Sequence, residues 1–126
     1  MAIALFFSGH WFLSLFSQTF FLHRYSAHQM FTMNKFWERF FHIFTFISQG
    51  SSYLDARAYA ILHRLHHKHS DELEDPHSPS NSANVFMMMW KTARVYANLK
   101  HNRIKIDPSM LKNIPDWTIL EKIGDF

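Results

Sequence analysis

The sequence predicts an all-α chain anchored in a membrane. One transmembrane helix is followed by interfacial amphipathic helices and by a histidine-bearing helix on the cytoplasmic side. Three observations lead there. Residues Ala2 to Leu22 form a nearly continuous apolar run, and all 13 Lys and Arg and all 10 Asp and Glu come after it. Aromatic and aliphatic residues then recur at helical spacing in two later stretches. Between those stretches lies Leu62-His63-Arg64-Leu65-His66-His67-Lys68-His69. Its histidines cluster on one side of a helix.

The first helix is expected over residues 1–25. At ~1.5 Å per residue, a run of ~21 residues reaches across a ~30 Å hydrocarbon core. A secretory signal peptide is the rival reading, but it would need a basic start and a small-residue cleavage site before His23, and neither is present. Positive charge begins at Arg24, so the positive-inside rule places the N-terminus outside and the remainder on the cytoplasmic side. His10 and Gln18 are polar positions within the span, and His10 is not expected to ligate. His23 and His28 follow at its inner end. On an α-helix, two residues five apart point about 140° away from each other. They can share an ion only if the helix ends between them or the ion sits beside its terminus.

Asn34 offers an N-cap for a helix over 34–50. Phe36, Trp37, Phe40, Phe41, Phe44 and Ile47 make an aromatic stripe on it. Its apolar core is about twelve residues, too short to span, so it belongs in the interface or against the first helix. His42 is expected on its polar side without a ligand role. Gly50-Ser51-Ser52 ends that helix, and the next covers 53–70. At about 100° per residue, His66 lies about 60° to one side of His63 and His67 about 40° to the other. The three share a face, with His66 and His67 splayed widely enough to serve two neighbouring ions. His69 falls on the far side.

The Ser70–Ser80 stretch is polar, with prolines at 76 and 79, and reads as a loop. Its Asp71 and Asp75 are placed to accept the outer ring N–H of ligating histidines, fixing their tautomer; Glu72 and Glu74 serve equally well as a solvated acidic surface. A further amphipathic helix is expected over 84–99, with Val85, Phe86, Met89, Trp90, Ala93 and Ala97 on its apolar face. Lys91, Arg94 and Asn98 lie opposite. Asp107-Pro108 and Pro115-Asp116 begin two short helical pieces.

Composition narrows the chemistry. The chain of 126 residues is 48% hydrophobic, carries ten His and has no Cys. Disulfides, thiolate catalysis and Cys-ligated clusters are therefore excluded, and any metal is held by nitrogen and oxygen. Imidazole suits iron, copper, zinc and nickel. A net charge of +3 raises the question of nucleic acid. No basic stripe, zinc-finger spacing or RNP-like motif supports it.

Taken together, His23-xxxx-His28, His63-xx-His66-His67 and Asp75-Pro76-His77 resemble the membrane fatty acid desaturase family. The acyl-CoA delta-9 (stearoyl-CoA desaturase-like) members of compact bacterial type are the nearest likeness. Gly50-Ser51-Ser52-Tyr53 and Met88-Met89-Trp90-Lys91-Thr92 extend the similarity over most of the chain. The resemblance implies a di-iron, oxygen-dependent enzyme that introduces a double bond into a fatty acyl chain, served by an electron-transfer protein with its reductase. It implies five metal ligands: His23, His28, His63 and His67 converging on one iron, and His66 reaching the other. Asp75 and His77 match a family motif and would sit behind the ligands, as would Asp71. Lys35, Arg39, Lys91 and Arg94 are the basic groups available to a phosphate-bearing head group, with plain surface charge as their other role.

The sequence departs from the family in one respect. A third box, His-xx-His-His, is absent after His77, as is the next pair of membrane helices. The chain is therefore expected to be the N-terminal part (1–126) of a single desaturase domain, an incomplete desaturase fold with at most one well-ligated iron and no turnover alone. The alternatives are a non-catalytic membrane metal-binding module and a related di-iron lipid hydroxylase.

Overall fold

The computed structural model describes residues 1–70, 72–73, 75 and 78–123. Five α-helices carry the architecture: α1 (Ala2–Ser17), α2 (Lys35–Gln49), α3 (Ala56–Lys68), α4 (Val85–Lys100) and α5 (Thr118–Ile123). A ten-residue π-type helix, Gln18–Ala27, continues α1, and short 3-10 turns lie at Gly50–Ser52, Pro79–Asn81 and Pro108–Leu111. Among the described residues there is no strand, as an all-α reading requires.

Side-chain caps set the helix starts. Asn34 Oδ1 accepts from the Trp37 amide at 3.1 Å and Asn84 Oδ1 from the Met87 amide at 2.9 Å, as their positions in the sequence suggest. The α3 helix begins at Ala56, three residues later than expected, because Gly50–Ser52 forms a turn and the Asp55 carboxylate caps the Ala58 amide at 2.6 Å. Pro108–Leu111 and α5 occupy the two short pieces expected near the end.

The helices α1 and α2 form an antiparallel hairpin. The Phe16 ring meets Phe44 at 6.1 Å, Phe20 meets Phe41 at 5.0 Å, and the Ser48 hydroxyl donates to Ser17 Oγ at 3.0 Å. Next, α3 packs on the π-type segment through Phe21, Leu22 and Ala56, and on α4 through Ala58, Ile61 and Leu99. Ala56, Ala58 and Ala60 are all buried, and their small side chains let neighbouring backbones approach closely. The face by which α4 packs is made by Val95, Tyr96 and Leu99. Val85, Phe86, Met89 and Trp90, expected on its apolar face, are exposed.

The polarity of α2 is inverted. It buries Glu38, His42, Thr45, Ser48 and Gln49, while Phe36, Trp37, Phe40, Ile43 and Ile47 stand exposed. An amphipathic helix of a water-soluble protein does the reverse. Of the aromatic stripe, Phe44 turns toward α1 and Phe41 toward the π-type segment that continues it. Leu5, Phe6, Trp11 and Phe12 of α1 are exposed as well.

The single spanning helix expected over 1–25 does not form. No helix among the described residues is long and apolar enough to cross a membrane. The α1 helix stops at Ser17, about 24 Å from its start at ~1.5 Å per residue. Beyond it, the winding widens through the polar Gln18 and Thr19 toward His23.

Candidate metal centre

The wide winding of residues 18–27 brings His23 and His28 together. The His28 amide donates to the His23 carbonyl at 3.0 Å, the i→i+5 bond that defines a π-helix. At about 80° per residue, positions five apart are separated by only about 40°, rather than the about 140° of an α-helix. The two rings lie 4.6 Å apart, centroid to centroid. The α-helical geometry assumed from the sequence set this pair apart; the segment ends at Ala27, between the two, as sharing one ion was expected to require, and its wider winding closes the remaining angle.

From α3, His63 and His67 approach the same point. The His63 ring is 4.6 Å from His23, 4.8 Å from His28 and 4.6 Å from His67. The Nε2 of His63 lies 2.9 Å from Nε2 of His28 and 3.1 Å from Nε2 of His67. One donor atom each from His23, His28 and His63 falls within 4.8 Å of the others, close enough to hold a metal ion. Two nitrogens bound to one ion at ~2.1 Å are separated by about 3 Å when they sit side by side, so these gaps fit the edges of a coordination shell.

Electrostatics prepare the rings as ligands. Burial lowers the His63 pKa to about 4, with the neighbouring His23, His67, His28 and His66 adding to it. Burial, then His23, His67 and Arg64, also lower that of His28. Near neutral pH both rings therefore keep a lone pair for a cation, and imidazole donors suit a transition metal.

His66 is turned elsewhere. Its Nδ1–H donates to both oxygens of Asp75, at 2.9 and 3.0 Å, and the Asp75 side chain is fully buried. A carboxylate behind a histidine fixes its tautomer and raises its basicity, the arrangement expected of this loop. With His63, the His66 ring borders a largely apolar cavity of about 440 Å³ between α3 and α4, walled by Leu54, Leu62, Met89 and Ala93. Asp71 and His77 lie outside the described residues.

The remaining candidates separate. Lys35 pairs with Glu38 at 2.6 Å, and the Arg39 guanidinium sits 5.5 Å from the Trp117 ring centre. Lys91 and Arg94 border a different cavity of about 510 Å³, shared with Asp75 and Ser78. The four basic groups therefore make no single patch, because the first two lie on α2 and the second two on α4. His10 stacks on Phe6, and His69 Nδ1 meets Glu72 Oε2 at 3.1 Å, both apart from the centre.

Two features escape sequence reasoning. One is the π-type winding, for which residue types carry no dependable signal. The other is Arg64, whose only hint is that a His-Arg pair occurs at both 23–24 and 63–64. Comparison with protein-family models, curated proteins and solved structures finds no match to this chain.

Proposed function

We propose that the chain is the metal-binding N-terminal portion of a membrane di-iron acyl desaturase. The observation that carries this reading is the convergence of His23, His28 and His63 from two helices, with His67 beside them. His66 supports a second ion: a buried carboxylate holds it in a different direction from the other four. Iron bound there would supply the oxidising power that attack on an unactivated C–H bond with O2 demands. The chain's own share is to present imidazole donors, to fix the tautomer of His66 through Asp75, and to offer an apolar cavity beside His63 and His66 for an acyl tail.

Membrane attachment belongs to the same proposal. The exposed apolar faces of α1 and α2 and the polar interface between them suit a hairpin surrounded by lipid. The histidines would face the cytoplasmic side, within reach of a soluble electron donor. A non-catalytic metal-binding module is the second reading, favoured by the compactness of the cluster formed by His23, His28 and His63.

Iron counting on chain purified from membranes is the test. One iron per chain is expected, lost on His63→Ala, with no double bond formed in acyl-CoA when O2 and a reductase system are supplied. An iron-free chain that takes up none on reconstitution would sink both readings. Two irons with turnover would overturn the half-site assignment.

A further inference from the structure

Arg64 lies between His63 and the His66-His67 pair, yet its side chain runs away from the rings. Its Nε–H donates to the Ala27 carbonyl at 2.9 Å and Nη2 to the Ser26 carbonyl at 3.1 Å. Nη1 donates to the carbonyls of Met110 at 2.7 Å and Lys112 at 3.0 Å. Four of its five N–H groups are thus spent on backbone oxygens from two segments 37 to 48 residues away. Gln29 Nε2 donates to the same Lys112 carbonyl at 2.7 Å, closing the junction.

Ser26 and Ala27 end the helical segment, where carbonyls lack partners along the chain and carry the negative end of the helix dipole. A planar guanidinium fork matches two adjacent carbonyls, whereas an ammonium is a point donor. The residue after Ala27 is His28, and the residue before Arg64 is His63. Their Nε2 atoms lie 2.9 Å apart.

We infer that Arg64 is a positioning residue: it ties the backbone beside His28 to the backbone beside His63 and so sets the spacing of the metal donors. This rests on the metal-centre reading above. Its charge alone would act in the opposite sense, since a fixed cation near the rings repels a bound metal ion. The lowered pKa of His28 carries a contribution from that same charge. Removing Arg64 therefore has opposite consequences under the two accounts, and the sign decides.

The experiment titrates Co(II) alone into the full chain in detergent micelles, following its visible absorption, for wild type, Arg64→Gln, Arg64→Lys and Lys68→Gln. Helix content is checked by circular dichroism. Supports behind metal ligands typically contribute 10–100-fold in affinity. Arg64→Gln is expected to weaken binding about 100-fold and Arg64→Lys, which keeps the charge but not the fork, about tenfold. Both should shift the cobalt spectrum. Lys68→Gln removes a nearby charge without touching the junction and should not weaken binding. Should Arg64→Gln lose its helices, Arg64→Lys alone decides. Wild-type affinity and spectrum in Arg64→Lys, or tighter binding by Arg64→Gln, overturn the inference. Failure of wild type to bind cobalt overturns the metal reading beneath it.

Discussion

His42 is buried at 1% exposure, and neither ring nitrogen has a hydrogen-bond partner among the described residues. Its ring stands edge-on to Phe21 at 4.8 Å and to Trp117 at 6.0 Å. Burial drives its pKa from 6.5 to about 4, against the opposing pull of Glu38 and Asp116 and with a small push from Lys35. Folded chain therefore keeps His42 neutral in a range where unfolded chain protonates it. Stability from this residue is fully present above about pH 6.5 and drains away as pH falls toward about 4. A shift of about two and a half pH units, at about 1.4 kcal/mol each, amounts to about 3 kcal/mol. His42→Phe removes the titration and the two unpartnered nitrogens while keeping an aromatic ring. The assay is urea unfolding in micelles, followed by helical circular dichroism from pH 7.5 to pH 4. The wild type should lose about 3 kcal/mol more than the variant over that range, and the variant should equal or exceed it near pH 7.5. His28 and His63 also lose stability on acidification, but they are present in both proteins and cancel. Parallel stability curves would refute the reasoning.

Other substitutions probe the frame and the site. Gly50 has φ +53° and ψ −124°, a combination reserved for glycine, with open space where a Cβ would stand. Gly50→Ala should cost about 1–3 kcal/mol in the same unfolding assay from backbone strain alone. Asp55→Ala removes the α3 cap and should cost about 1–2 kcal/mol, with Asp55→Asn recovering most of it. Asp75→Asn should leave the first Co(II) affinity within about twofold, since its partner His66 points away from the four-histidine cluster, whereas a large loss would mean that His66 belongs to that cluster.

What the sequence discloses here is mostly local. The spread of His63, His66 and His67 around α3, the caps at Asn34 and Asn84, and a carboxylate behind a histidine all depend on residues within a turn or a short loop of one another. Each is present in the structure. Relations that depend on distant backbone are not readable in that way. Arg64 is satisfied by carbonyls, which every residue possesses, so no side-chain pattern marks its partners. The start of α3 shifted because a 3-10 turn competed with it for the same residues. The exposed stripe of α2 was visible as a periodicity, but periodicity does not say which face is inside. Burial of Glu38, His42 and Thr45 answers that, and only packing against the first helix could reveal it.

The i→i+5 ladder makes residue number a structural quantity. Two registers must agree along Gln18–Ala27: Phe21 and Leu22 are aimed into the core while His23 and His28 are aimed at the ion site. Substitution can change what each position carries without disturbing that phase. Loss of one residue cannot, because a ladder shortened to i→i+4 would rotate the pair apart and pull the core residues out of step with it. A segment of this kind tolerates a change of side chain far better than a change of length, so deleting one residue from it should disturb the site more than exchanging one.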